Sequence, residues 1–438
     1  MATTPFAGLR GTDDFTVTGQ RPENFREKIL SLYPNGDTAL TAFLAACKSE
    51  KTDDPVFHWF QRRLSNKRAS GTAGAFVYED ILLSDAYDAS QDNAAGTTVY
   101  IKTTAAEAQE FRIGHQVLMR SSTDYTNDIN GVVTEVSVNG ASSRVSVKLL
   151  QSDGTGNGDL SNCDTLLIIG NANSEGSDAP DSVTYDPEEK SNRCQIWRTT
   201  LEMTRTAMQT RLRTGDPYKD LKDLCAEDHA REIEYSLLYG YGYADVGPNG
   251  KPRRFTQGII NAIKADASAN VSDFSTSTDA AYDHKTWVQA GEKWLNNMLE
   301  QIFRYGAQDS KMAFCGSKAL LGIQALVSAG GYYQLQPGAK AYGIAVTDWV
   351  TPFGTLKLRV HPLFSHEPTN QNSILILEPR NLVYRYVQDT TFKKDKNWRD
   401  GGQTQIDGLK EGFITEAGLE YHFAETMGYL NGVGTDNA

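Results

Sequence analysis

The residues of this chain that could do chemistry are few and scattered. His229 and Glu232 stand at helical spacing, where an imidazole and a carboxylate share a face and could hold a metal or pass a proton. Asp228, Arg231 and Glu234 surround them, which predicts a solvated or intersubunit lattice of ion pairs instead. His361 and His366 bracket Pro362-Leu363-Phe364-Ser365 with Glu367 adjacent, which could gather two imidazoles and a carboxylate. The expectation there is a strand exit with exposed histidines. Asp153, Thr155, Asn157, Gly158 and Asp164 fall at positions 1, 3, 5, 6 and 12 of a calcium-loop count, where oxygen ligands and a turning glycine are needed. The flanks read as strands and the last position lacks the bidentate Glu, so a hairpin loop is expected. Gly247-Pro248-Asn249-Gly250-Lys251-Pro252 looks like a phosphate loop only superficially, because its prolines and the missing helix behind it make it a turn. Cys47, Cys163, Cys194, Cys225 and Cys315 are too far apart for a zinc pattern or a redox pair and read as small buried hydrophobes. No catalytic site, cofactor site or metal site is expected.

One stretch has a different texture. Phe57-His58-Trp59-Phe60-Gln61-Arg62-Arg63-Leu64-Ser65-Asn66-Lys67-Arg68 sets aromatics beside the cations Arg62, Arg63, Lys67 and Arg68. Its two readings are an ordinary solvated charge cluster, or contact with nucleic acid or an acidic neighbour. The chain as a whole is acidic, with 43 Lys and Arg against 55 Asp and Glu for a net charge of −12 over 438 residues. That balance argues against sequence-reading of DNA as the main role, since phosphate binding needs concentrated positive charge. It leaves room for a local basic face. A hydrophobic share of 39% and a charged share of 22% exclude wholesale disorder and fibrous repeats. No apolar run reaches the length of a membrane span, and the first residues lack the pattern of a signal peptide.

The elements that must position these residues change character along the chain. The first 75 residues alternate short helical pieces with breakers, around Phe25, Ile29 and Leu30 and again from Thr38 to Cys47, as a limb lying over other surfaces would. Residues 76 to 200 are β-rich. Runs at 97–102, 116–120, 131–138, 143–149 and 165–169 alternate β-branched with polar residues and are separated by Asn139-Gly140 and the Asp/Gly/Asn cluster at 153–159, which predicts a small barrel or sandwich over about 97–170. A polar linker from Asn171 to Asn192 leads to an extended ribbon, Cys194 to Thr204. The period then becomes helical from Tyr218 to Tyr239, with Leu221, Leu224 and Cys225 on one face and Ala226, Ala230, Ile233 and Leu237 nearly opposite, which predicts packing from two sides. A second helix is expected from Thr286 to Tyr305 and a short one around Lys318 to Val327. Strands are expected at 311–315, 356–360 and 374–377, and the tail Gly412 to Phe423 must pair back into an earlier sheet.

This order of parts resembles the major capsid proteins of tailed bacteriophages, the Hong Kong 97-type fold, an α+β class. Local texture carries the resemblance too: Lys311-Met312-Ala313-Phe314-Cys315-Gly316-Ser317-Lys318, then Gly330-Gly331-Tyr332-Tyr333, Tyr342-Gly343-Ile344-Ala345-Val346 and Val360-His361-Pro362. Ile168-Ile169-Gly170-Asn171-Ala172-Asn173-Ser174-Glu175-Gly176, leading to Gln195-Ile196-Trp197, is similar to one branch of these proteins. The resemblance implies an N-terminal arm (1–75), an extended loop (76–213) with an inserted β-domain (about 97–170), a peripheral domain (214–282) with spine helix 218–239, an axial domain (283–385) and a return to the peripheral domain (386–438). It implies no enzyme activity, and self-assembly as hexamers and pentamers into an icosahedral shell around phage double-stranded DNA. The protein would be made in the host bacterial cytoplasm and reside in the virion, without membrane contact. Its partners would be its own copies, portal, scaffolding or decoration proteins and, non-specifically, the packaged DNA. Arg62, Arg63, Lys67 and Arg68 are then candidates for a DNA-facing or intersubunit surface. Two other readings stay open from sequence: an encapsulin-like nanocompartment shell, and a glycan-binding or glycan-acting protein with a β accessory domain.

Overall fold

The computed structural model describes residues 44, 47–63, 67–87, 93–123, 128–153, 160–176, 178, 182–210, 215–306, 310–330, 335–341, 344–394 and 407–437. Its strands, in chain order, are β1 (Lys48–Lys51), β2 (Val56–Gln61), β3 (Arg68–Ser70), β4 (Val77–Tyr78), β5 (Thr98–Lys102), β6 (His115–Arg120), β7 (Ile129–Ser137), β8 (Arg144–Leu149), β9 (Thr165–Asn171), β10 (Glu188–Arg193) and β11 (Gln195–Thr204). After the long helix come β12 (Tyr243–Val246), β13 (Pro252–Phe255), β14 (Val271–Asp273), β15 (Ser310–Cys315), β16 (Leu335–Ala341), β17 (Ile344–Thr351), β18 (Gly354–Val360), β19 (Ile374–Leu377), β20 (Leu382–Lys393), β21 (Gly408–Tyr421) and β22 (Gly428–Asn431). The result is a mixed α/β protein whose chain divides into two compact units, residues 60–188 and the remainder.

Unit 60–188 is built on one seven-stranded sheet in the order β3-β9-β6-β7-β8-β5-β4. The five strands expected between residues 97 and 169 are all present, and alternate apolar residues are buried along β5, β6 and β8: Val99 and Ile101, Val117 and Met119, Val145 and Val147. Two further strands, β3 and β4, close the ends of the order, and they are too short to show a period in the sequence. They also decide the shape. A flat sheet of seven strands would separate its edges by about 29 Å, whereas the connector from Ser70 to Val77 can span only about 24 Å, so the sheet must curl. Ala69 and Phe76, at either end of that connector, share one buried cluster with Val117, Val147 and Leu166. Gly71 lies against the Phe76 ring so closely that an added Cβ would stand 2.2 Å from it.

The other unit holds two larger sheets, beside the two-stranded pairs β10–β2 and β12–β13. In the first, β21 is central, antiparallel to both β11 and β20, with β1 parallel to β20 on the edge. The expected ribbon is β11, and the tail strand does return to it, Trp197 opposite Thr415. Helix Pro217–Tyr239 starts where Asp216 accepts the Tyr218 N–H at 3.0 Å and Pro217 takes the first turn. It stops at Gly240, where a Cβ would stand 2.4 Å from the Ser236 carbonyl. Its buried residues are Cys225, His229, Ile233, Glu234, Leu237 and Leu238, while Leu224 is 51% exposed. Both expected stripes pack, Leu221 and Cys225 with Leu201 and Leu409, and Ile233 and Leu237 in the larger core, while Leu224 departs from the expectation by standing exposed. The second sheet runs β14-β22-β19-β15-β18-β17-β16 and carries helices Trp287–Phe303 and Ser317–Gly330. Trp287, Trp294 and Phe274 meet edge to face in its core, with ring centroids 5.1 to 6.0 Å apart.

Little of the expected limb falls among the described residues, and Leu44 there is helical. Residues 1–43, including the helical pieces around Phe25 and Leu40, lie outside the described residues, and what is described of the first 75 includes strands β1, β2 and β3. The Gly247–Pro252 segment is the turn of hairpin β12–β13, closed by the Gly247 N–H donating to the Lys251 carbonyl at 2.8 Å.

Candidate assembly and nucleic-acid surfaces

The two histidine groups become buried struts. His229 is 2% exposed and sits between β11 and β21. The hydroxyl of Thr199 donates its one proton to Glu232 at 3.1 Å, so at 2.9 Å it must accept from His229 Nδ1–H. The neutral ring then accepts at Nε2 from Thr415, 2.8 Å away, whose oxygen lies 2.8 Å from Thr390. Burial pushes the His229 pKa down, against the pull of the Glu232 carboxylate. The expected solvated lattice is thus corrected at its centre, though Arg231 and Asp228 do pair at 3.4 Å on the outer face.

His361 is corrected more sharply. It was expected exposed at a strand exit and is fully buried, its Nε2 2.8 Å from Glu234 Oε1 of the long helix, with Phe314 edge-on at 5.6 Å and Phe364 at 4.8 Å. His366 and Glu367 are exposed, so the three groups do not converge. The sequence could not show this, because Glu234 lies 127 residues away. Lys311, read only as the start of a strand, is a third buried strut. Its ammonium donates to the carbonyls of Ile302 (3.1 Å), Tyr305 (3.3 Å) and Thr426 (2.6 Å) and lies 3.4 Å from Glu378, ending helix Trp287–Phe303 and joining it to the last strands.

Of the calcium-loop residues, Thr155, Asn157 and Gly158 lie outside the described residues. Asp153 is buried and accepts from the Tyr87 hydroxyl and the Asn93 N–H, while Asp164 accepts from Ser122 and Thr165. Among the described residues no group of three or more His, Cys, Asp or Glu is arranged to hold a metal ion. Burial raises the thiols of Cys47, Cys194 and Cys315 to about 12, which suits inert packing residues.

The basic stretch is resolved by strand alternation. Phe57 and Trp59 point into the core, so they cannot stack on bases, while His58 and Phe60 point out and Phe60 is 67% exposed. Arg62, Arg63, Lys67 and Arg68 are all exposed. Arg63 lies 3.6 Å from Glu188, and Arg68 donates to the Thr165 hydroxyl at 3.3 Å. Lys67, with a left-handed φ of 47°, lines a cavity beside Arg112 and His115. Exposed apolar side chains among the described residues include Leu82 in unit 60–188, Tyr241, Tyr243 and Val246 on or beside hairpin β12–β13, Leu224 on the long helix, and Val288 and Leu321 on the helices of the second sheet.

The relation to known proteins follows from a match along the chain. A family model for the SU10 major capsid protein matches residues 11–434. The chain belongs to the SU10 major capsid protein family. A relative described as a major capsid protein, from Pseudomonas phage PaMx41, is 25% identical over 244 residues, which cover 55% of this chain and 56% of the relative. The match thus spans little more than half of that relative's length. Solved structures similar to this member of the family include the capsid of a native GTA particle (TM-score 0.42, 8% identity, 97% of this chain and 99% of that one). The cyanophage Pam1 capsid is another (TM-score 0.36, 11% identity, 60% and 82% covered), as is the SrpI encapsulin complex of Synechococcus elongatus (TM-score 0.36, 12% identity, 58% and 77% covered). Among the described residues no helix is long and apolar enough to cross a membrane.

Proposed function

We propose that this chain is the shell-forming subunit of a phage head, assembling as hexamers and pentamers into an icosahedral capsid around double-stranded DNA. The family match over residues 11–434 carries the reading. In it the architecture is of the Hong Kong 97 type, with residues 1–75 as arm and 76–213 as an extended loop bearing the β-domain. Residues 214–282 and 386–438 form the peripheral domain, and residues 283–385 the axial domain. The role is structural, with no bond made or broken in a substrate. Synthesis is in the host cytoplasm, and portal, scaffolding or decoration proteins join the same particle.

The surface supports a subunit completed by its copies. A two-stranded hairpin is marginal alone, yet β12–β13 exposes Val246 at 71% and is preceded by Tyr241 at 74%. Such side chains are stabilised when a neighbour covers them, and obligate interfaces of about 2,000 to 5,000 Å² require many of them. Arg62, Arg63, Lys67 and Arg68 are the candidate DNA-facing or intersubunit cations, acting through charge alone because the neighbouring Phe57 and Trp59 rings are buried.

The test is to express the full chain, alone and with its neighbouring genes, and to image it by negative-stain microscopy while measuring nucleic-acid content. Uniform closed shells holding DNA are expected. A product that stays monomeric at high concentration overturns the reading. Replacing the four cations by Ala should weaken DNA retention or assembly, and unchanged particles would remove their role.

A further inference from the structure

We propose that the β-sheet unit carries a binding site for an anionic sugar, a saccharide ring bearing a carboxylate or phosphate, in the cavity between Lys67, Arg112, His115, Asn171, Asn173 and Tyr185. The cavity measures about 230 Å³ and lies wholly within residues 60–188. That volume lies below the range of about 300 to 1,000 Å³ usual for drug-sized ligands and suits a single ring rather than a chain.

Its walls are built by the sheet. His115 opens β6 directly opposite Asn171 of β9, so both side chains stand on one face of the pair. Gly114, at φ 87°, lets the preceding loop turn so tightly that a Cβ there would stand 3.2 Å from the Ala172 carbonyl and from Asn173 Oδ1. The Gly114 carbonyl accepts from the Ala172 N–H at 2.9 Å, tying the loop to the far wall. Arg112 is held in place too, with its guanidinium Nη1 bonded at 2.7 Å to the carbonyls of both Gln109 and Phe111.

The chemistry is that of an anion and hydroxyl reader. Lys67 and Arg112 supply two cations against one carboxylate, Glu110, in a chain whose overall charge is −12. The Arg112 N–H donates to His115 Nδ1 at 3.1 Å, which places the proton of the neutral ring on Nε2 as a third donor. Lys67 and Arg112 help burial hold the His115 pKa down, an independent sign of positive potential. The Asn171 and Asn173 amides and Glu110 match the donor and acceptor faces of sugar hydroxyls, and the Tyr185 ring, 38% exposed, offers a stacking surface.

The full chain is titrated with glucuronate, glucose 6-phosphate, glucose and inorganic phosphate, reading dissociation constants by calorimetry. At least one of the two charged sugars should bind at about 1 mM or tighter, with glucose and inorganic phosphate at least about tenfold weaker. Lys67→Asn, which removes the charge and tolerates the left-handed backbone, should weaken that sugar about tenfold, and Tyr185→Ala about threefold, with thermal unfolding unchanged. No binding by about 10 mM, glucose matching the charged sugars, or unchanged affinity in both variants would overturn the proposal. Inorganic phosphate matching glucose 6-phosphate would mean an adventitious ion only, and would overturn it equally.

Discussion

The two units solve the problem of a core in different ways. In residues 60–188 the buried cluster is a curled sheet's inner face, apolar from Ala69 to Leu166 and drawn from one contiguous segment. In the other unit the core joins segments far apart in sequence, and buried polar struts stand at the joints: His229 between Thr199 and Thr415, Glu234 with His361, and Lys311 with Glu378 and Thr426. The contrast is one of degree: the sheet of residues 60–188 is held mainly by apolar alternation, with the buried Asp153 carboxylate accepting from Tyr87 and Asn93 as its own polar tie. Where a helix must meet strands from the far end of the chain, buried hydrogen bonds select one register, since apolar surfaces alone are tolerant of sliding.

Four experiments would break or sharpen this contrast. The largest effect is expected for Lys311→Met, which leaves three carbonyls and Glu378 without their cation. It should destabilise the strutted unit by about 3 to 5 kcal/mol in urea unfolding, with Glu378→Leu added in cis recovering part of the loss. Leu166→Ala, in the apolar core, should cost about 3 kcal/mol and shift only the unfolding transition of residues 60–188. If either variant moved both transitions equally, the two cores would be one energetic unit.

His229→Gln comes next, at about 1 kcal/mol near neutral pH for one hydrogen bond lost. It also tests a sign. The folded pKa of His229 lies below the ordinary 6.5, so below that pH the unfolded chain takes up a proton that the folded chain refuses. Stability present above pH 6.5 should therefore fall as pH drops through the window beneath it, and the Gln variant should show a flatter profile there. A profile equally steep in both would show that other groups set it. The smallest effect is expected for Lys67→Gln, read on His115 by NMR titration. Burial and two cations lower the His115 pKa, so removing one cation should raise it while leaving unfolding nearly unchanged.

Legibility in the sequence divides along the same line. The five strands between residues 97 and 169, helix Pro217–Tyr239 and helix Trp287–Phe303 were readable because each is long enough to display its period against water. Strands β3 and β4, with three and two residues, display none. His361 read as exposed because its flanks are turn-like, yet its environment is set by Glu234 and by Phe314, which local pattern does not contain. The cavity at Lys67 is half visible in the sequence: Lys67 lies in the basic stretch and Asn171 opens the polar linker, while Arg112 and His115 join them only through the register of β6 on β9.

By itself the sequence determined which segments become strands and helices, that the chain is acidic with a local basic stretch, and which family order its parts follow. Only the tertiary structure decided which polar side chains are buried and partnered, that Phe57 and Trp59 face inward beside exposed cations, and that β3 and β4 extend the β-sheet at its two ends. The physical reason is range. Periodicity and charge are properties of neighbours along the chain, whereas burial and hydrogen-bond partnership depend on segments brought together across more than a hundred residues.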